Sequence, residues 1–141
     1  MINIGDKEAT DRQAVVSGKI YLNAETLKKI NNNQVPKGNV LVSAKLAAMM
    51  AAKKTADLLP YCHPIPIEHV EIDLKMEEDG ITVTALVRSH TKTGVEMEAF
   101  VAVSGACLTI YDMSKWMGQD MIISNVCLAH KSGGKSGDFN R

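Results

Sequence analysis

Residues 70–87 read VEIDLKMEEDGITVTALV, and their pattern sets the frame for the rest of the chain. Val70, Ile72, Leu74 and Met76 alternate with Glu71, Asp73, Lys75 and Glu77. A period of two residues is that of a strand with one buried and one wetted face. Glu78-Asp79-Gly80 supplies turn chemistry, and Ile81, Val83, Ala85 and Val87 then alternate again. The reading is a β-hairpin, with strands over 66–77 and from Ile81 to Val87.

Working back, residues 53–66 read KKTADLLPYCHPIP. Pro60, Pro64 and Pro66 fix their own φ and bias the residues before them toward extended geometry. The stretch from Pro60 to Pro66 is therefore stiff and non-helical, and it holds Cys62 and His63 side by side. A rigid connector is the plain explanation. A loop that positions a thiol and an imidazole for a ligand is the functional one. Before it, residues 40–58 are rich in Ala, Met, Leu and Lys and predict a long helix stopped by Pro60. Residues 31–38 (NNNQVPKG) form a loop with Lys37 in its turn, and Ala24–Ile30 a short helix capped by Asn23. Residues 14–22 have strand composition, with Gly18 marking a bulge or a weak edge. Residues 1–13 are polar and expected to be mobile; they carry Lys7 and Arg12.

Forward of the hairpin, Ala99, Ala102, Val103, Ala106, Cys107 and Ile110 recur at helical spacing and predict a helix over 95–117. Residues 120–129 predict a last strand, followed by a Gly-, Ser- and Lys-rich tail whose end, 132–141, is expected to be flexible. The order becomes β, short α, long α, β, β, long α, β. Without the short helix this is βαββαβ, a ferredoxin-like two-layer sandwich with a four-stranded antiparallel sheet. Helices on one face leave the other face open. An apolar open face would drive association between copies.

The bulk composition bounds the function. The chain has 141 residues, one domain's worth, with 16 basic and 16 acidic side chains and 4% aromatics. That balance disfavours nucleic-acid binding. No apolar run reaches membrane-spanning length, and the N-terminus lacks a signal-peptide core. Three widely spaced cysteines fit reduced thiols in a cytoplasm. No spacing of ligands points to a metal site; Cys62, His63 and His69 are the nearest approach.

Chemistry has four candidate locations. The first is the Cys62-His63 loop. Glu96 and Glu98 open the last helix, where the helix dipole favours carboxylates. Two residues apart, they point in different directions and should not share one small site. Asp112 and Lys115 stand at i, i+3 after an apolar run. A half-buried couple of this kind suits proton transfer, and a surface ion pair is the alternative. Lys131-Ser-Gly-Gly-Lys-Ser-Gly137 imitates part of a phosphate loop, but Ala129 stands where that motif needs Gly and the helix after it is missing. Backbone NH groups and two lysines in such a loop can still cradle phosphate.

Three of these stretches, KKTADLLPYCHPIPI (53–67), KTGVEMEAFVAVSGACLTIYDMSK (92–115) and KSGGKSGDF (131–139), together resemble the cyclic pyranopterin monophosphate synthases of molybdenum cofactor biosynthesis, the MoaC family. The likeness runs from about Asn3 to Phe139. It implies a ferredoxin-like subunit in a homohexamer, a trimer of dimers, with active sites at subunit interfaces. It also implies a lyase-type rearrangement of 3',8-cyclo-7,8-dihydroguanosine 5'-triphosphate to cyclic pyranopterin monophosphate, with release of pyrophosphate. Asp112, Lys115 and Lys131 match the family's catalytic residues. Tyr61, Cys62, His63, Met97 and Glu98 match its substrate-binding stretches; Glu96, Lys37 and Arg12 match further site positions. Asn3 and Gly5 depart from the family's Asp and Ser, which touches the conformation of the first loop. The expected reaction moves protons and exchanges no electrons with an outside partner, so no cofactor is expected beyond magnesium riding on the pyrophosphate that leaves. The rival reading from fold alone is a ferredoxin-like module that binds a small ligand without turnover.

Overall fold

The computed structural model describes residues 1–141. Its elements are β1 (Thr10–Tyr21), α1 (Ala24–Asn31), α2 (Val40–Ala52), α3 (Thr55–Leu58), β2 (His69–Glu77), β3 (Gly80–Thr91), α4 (Glu96–Ser114), β4 (Ile122–Ser132) and β5 (Phe139–Asn140). The expected hairpin is there: Glu77 pairs with Gly80, and Val70, Ile72 and Leu74 face Val87, Ala85 and Val83. All strand pairs are antiparallel, in the order β2-β3-β1-β4-β5.

The sheet has five strands, not the four expected, because the tail returns to β4. Lys131 pairs with Phe139 and His130 with Asn140. Residues 10–13, grouped with the lead segment on polarity, are the start of β1, where Thr10 pairs with Thr91 and Gln13 with both Arg88 and Ser132. Backbone pairing with β3, joined by β4 at Gln13, overrides side-chain polarity there. The helix expected over 40–58 ends at Ala52. Thr55, fully buried, bonds its hydroxyl to the Ala52 carbonyl at 2.9 Å, and a separate single turn follows. The last helix and the last strand each shift by a few residues, to 96–114 and 122–132.

The core lies between the sheet and the long helices. Ala14, Val16 and Ile20 of β1, Ile81, Val83, Ala85 and Val87 of β3, and Ala99, Ala102, Val103, Ala106 and Ile110 of α4 are all fully buried. Small residues set the spacing between layers. A Cβ at Gly18 would sit 2.7 Å from Val103, so α4 rests directly on β1. Of the bulge or weak edge that Gly18 suggested, the structure has the bulge: the strand is central, and its register with β4 breaks between Ser17 and Lys19. A Cβ at Gly105 would lie 2.8 Å from Ala51, which brings α4 close against α2.

The β2–β3 half of the helix-free face is largely polar. The β3 residues there are Thr82, Thr84, Leu86, Arg88 and His90, and those of β2 are His69, Glu71, Asp73, Lys75 and Glu77. On this half the expected apolar patch is absent, since every second residue of β2 is charged or histidine. Lys19 crosses the face to Glu77 at 2.7 Å and Asp79 at 2.6 Å, tying β1 to the hairpin turn.

Gly80 gives a test of the hairpin. An added Cβ would run into the Ile20 carbonyl oxygen of the neighbouring strand, where only backbone can yield. Gly80→Ala is expected to destabilise the fold by about 1–3 kcal/mol, the usual cost of overpacking. Urea unfolding with an unchanged slope and a lower midpoint would show it.

Candidate active site

The expected residues fall into two groups at opposite ends of α4. Its N-terminal end gathers Arg12, the 61–63 loop, Glu96, Met97, Glu98 and Lys131. The order β3-β1-β4 explains why: the start of β1, the end of β3 and the end of β4 lie side by side at that end of the sheet. The C-terminal end of α4 holds Lys37, Asp112 and Lys115. Glu96 and Asp112 are sixteen residues apart on a continuous helix, roughly 24 Å along its axis.

Two adjoining cavities mark the N-terminal end. One, of about 540 Å³, is lined by Met1, Ile2, Ile4, Tyr61, Cys62, His63, Ile65, Met97 and Glu98, among others. It is half apolar. The other, also about 540 Å³, is almost wholly polar. Five cationic side chains line it, Lys7, Arg12, Lys92, Lys131 and Lys135, against the carboxylates of Asp6, Glu8 and Glu96. Lys7, Thr93, Gly94 and Glu96 line both, so the two are chambers of one space.

Glu96 and Glu98 do point apart, as their spacing requires. Glu96 bonds Lys131 Nζ through Oε1 at 3.2 Å. Glu98 is 4% exposed and turns toward the Cys62 side. Yet both line the apolar chamber, which wraps round the first turn of α4 over Met97. The expectation that they cannot share a site assumed a small pocket; the chamber is wide enough to meet both. Burial pushes the Glu98 carboxyl up from the ordinary range, and the neighbouring Glu96 charge adds to it. The Cys62 thiol is pushed up as well, by burial first and by the Glu98 charge second.

That environment makes Cys62 a neutral thiol. The thiolate is the reactive form. Iodoacetamide at pH 7.5 is therefore expected to alkylate Cys62 more slowly than free cysteine, with the rate climbing only above pH 9. Peptide mapping by mass spectrometry reads this directly, and an alkylation rate equal to that of free cysteine would contradict it.

The glycine loop shapes the polar chamber. Gly133 has φ +83°, a left-handed conformation that suits glycine, and an added Cβ would meet the Asp11 carbonyl oxygen. The loop thus lies tight on β1, next to Arg12. The Arg12 Nε is buried with no hydrogen-bond partner. A buried guanidinium nitrogen without an acceptor is costly, and an anion in the chamber would supply one. Lys92 bonds the Gly5 carbonyl through Nζ at 2.7 Å and holds the lead segment over the chamber. Sequence reading passed over Lys92, whereas Lys135 was one of the two lysines it placed in the phosphate-cradling loop; both line the cationic chamber.

At the other end, Asp112 is clamped by two lysines. Its Oδ1 lies 2.7 Å from Lys115 Nζ and its Oδ2 2.5 Å from Lys37 Nζ, which also bonds the Asp112 carbonyl at 3.0 Å. Lys115 first and Lys37 second hold the carboxyl at about 2, and Asp112 in turn raises the Lys115 ammonium. The burial expected of this couple is only partial: Asp112 and Lys115 side chains are 53% and 56% exposed. Lys37, matched with Glu96 and Arg12 as a further site position, stands within the subunit beside Asp112. No three His, Cys, Asp or Glu side chains converge as metal ligands, and Cys62, His63 and His69 do not form a set. No helix is long and apolar enough to cross a membrane.

Fold and site together define an α+β protein with a half-apolar chamber joined to a cationic one and a Lys131–Glu96 pair on the lining of the cationic chamber. The chain belongs to the MoaC family, which matches residues 1–134. It is similar to the cyclic pyranopterin monophosphate synthase of Helicobacter pylori strain J99, at 51% identity over 99% of this chain and 90% of that protein. It is 47% identical to the enzyme of that name from Thermoanaerobacter sp. strain X514 and 45% to that from Peptoclostridium acidaminophilum. Each comparison covers the whole of this chain and 90% of the relative.

Proposed function

We propose that the chain is a cyclic pyranopterin monophosphate synthase of molybdenum cofactor biosynthesis. On this reading it is a lyase that converts 3',8-cyclo-7,8-dihydroguanosine 5'-triphosphate to cyclic pyranopterin monophosphate and pyrophosphate. The observation that carries the reading is the pair of joined chambers. A half-apolar chamber with a buried carboxylate suits a flat guanine-derived ring, and the adjoining cationic chamber suits a triphosphate. Carboxylates accept from the ring's N–H donors, so Glu98 and Glu96 orient the base, with Tyr61, Cys62, His63 and Met97 around it. Arg12 and Lys131, with His63 from the half-apolar chamber, take phosphate charge.

The chemistry opens a purine-derived ring, closes a pterin and forms a cyclic phosphate as pyrophosphate leaves. Each step needs protons delivered and removed at fixed positions. Lys115 and Lys131 are the proton-carrying ammonium groups, and Asp112 is the ionised partner that aims Lys115 and Lys37. Electrons balance within the substrate, so no redox cofactor is called for; a magnesium ion would ride on the phosphates.

Asp112 and Lys115 reach the ring only from another subunit, since about 24 Å of helix separates them from Glu96 within one chain. The active site is therefore composite, at the interface of a dimer, with three dimers forming a homohexamer. The first four strands and the two long helices make a ferredoxin-like unit, to which α1, α3 and β5 are additions. The location is the cytoplasm, in keeping with the unpaired cysteines.

The test is pyrophosphate release from the cyclised GTP precursor, with the pterin product followed by fluorescence after oxidation. Turnover supports the synthase. Tight precursor binding without product would return the chain to the binding-module reading.

A further inference from the structure

Few polar side chains are buried in the subunit, and two of them, Thr55 and Ser89, bond the main chain at either end of the stretch from Ala52 to Pro66. Thr55, 1% exposed, ties the chain to the last residue of α2 through the Ala52 carbonyl. From Thr55 two backbone bonds lead to the site. The Leu59 N–H donates to the Thr55 carbonyl at 2.9 Å, and the Cys62 N–H donates to the Leu59 carbonyl at 3.0 Å. At the far end Ser89 of β3, 2% exposed, donates its Oγ to the Pro66 carbonyl at 2.5 Å. Ser89 pairs in register with Arg12 of β1. One rung of the sheet thus seats both the loop and the guanidinium of the cationic chamber. Between the two ends, residues 63–67 make no backbone-to-backbone hydrogen bond. Three prolines stiffen the loop, and the two hydroxyls fasten it.

The fastened loop is one wall of the half-apolar chamber, to which it contributes Tyr61, Cys62, His63 and Ile65. A hydroxyl among apolar side chains costs free energy unless it is bonded, and Val at 55 or Ala at 89 would fill the space without that cost. Each hydroxyl bonds a main-chain carbonyl, so what it fixes is the course of the chain. We infer that Thr55 and Ser89 are positioning residues, which act through the main chain to set Cys62 and His63 where the ring is received. The effect on turnover rests on the synthase reading; the effect on the wall rests on geometry alone.

Three variants test this. Thr55→Val keeps the shape and removes the hydroxyl, Thr55→Ser keeps the hydroxyl, and Ser89→Ala removes one oxygen. Iodoacetamide labelling with peptide mapping reads the wall without substrate. Cys62 is expected to react about 2–10-fold faster in Thr55→Val and Ser89→Ala, the gain in local opening that loss of one hydrogen bond gives. Thr55→Ser should keep the wild-type rate. Cys107, fully buried in α4, should stay unreactive in all of them, which separates local opening from loss of the fold. In the pyrophosphate-release assay kcat should fall about tenfold in Thr55→Val and Ser89→Ala, with a smaller change in KM, and return in Thr55→Ser. A merely structural hydroxyl would lower the urea midpoint and leave kcat of the folded protein unchanged. Cys62 labelling at the wild-type rate in either Thr55→Val or Ser89→Ala would overturn the inference, as would a kcat unchanged in both. Equal acceleration in Thr55→Ser and Thr55→Val would assign the effect to packing and overturn the role of the hydroxyl. Faster labelling in the variants of a wild type that has no turnover would sink the synthase reading and leave the two anchors standing.

Discussion

Mixing Asp112→Ala subunits with Lys131→Ala subunits is expected to restore activity that neither protein has alone. Each site would draw Asp112, Lys37 and Lys115 from one subunit and Lys131, Glu96 and Glu98 from its partner. In a two-fold dimer of one mutant of each kind, one of the two sites carries both lesions and the other carries none. After exchange at equal concentration half of the dimers are mixed, and half of their sites are intact. About a quarter of wild-type turnover should therefore return. The ground for this is the roughly 24 Å between Glu96 and Asp112 on one rigid helix, which no side chain spans. Co-refolding of the two variants followed by a pyrophosphate-release assay makes the measurement. Recovery no greater than the sum of the two residual activities would mean that the two clusters do not act together across an interface.

The second large effect is expected at Lys131 itself. Lys131→Ala should lower kcat by about 10²–10⁴, the range for removing one acid/base group, while precursor binding changes far less. Lys131 lines the cationic chamber, 35% exposed and bonded at 3.2 Å to Glu96, which lines both chambers. Its ammonium is thus fixed in direction yet open to a ligand. Lys131→Arg keeps the positive charge but holds its proton far more tightly. It should restore phosphate affinity without restoring turnover, which separates proton transfer from charge. Near-full turnover in Lys131→Ala would remove this residue from the chemistry.

Asp112 changes meaning once its partners are seen. In the sequence it is one half of an i, i+3 pair with Lys115. In the fold it is shared with Lys37, seventy-five positions earlier, and the two ammonium groups hold its carboxyl at about 2. A carboxylate so held is ionised throughout the neutral range. Its contribution to stability is present above the ordinary carboxylate value and is lost as pH falls through about 2. On the proposed mechanism, proton delivery at neutral pH would then fall to the lysines, with Asp112 as the group that orients them.

The local patterns were legible from the sequence. The alternation in 70–87 specifies the hairpin and its buried face, because strand periodicity is a property of adjacent residues. The small and apolar spacing in 99–110 specifies which side of α4 is buried for the same reason. The three long motifs specify the family, and with it the residues to watch. What the sequence misjudged depends on partners far along the chain. Residues 10–13 are polar and still form strand, because β3 pairs with all four and β4 joins at Gln13. Phe139 and Asn140 form a strand only because the edge of β4 is there to receive them.

Sequence by itself therefore determined the hairpin, the buried side of α4 and the family. Tertiary structure alone decided where the chemistry gathers. Inserting β1 between β3 and β4 brings Arg12, Lys92 and Lys131 to one end of the sheet, and the same α4 that holds Glu96 there carries Asp112 away to the other. Strand order and helix length are global properties, fixed by how the layers pack, and no window of adjacent residues records them.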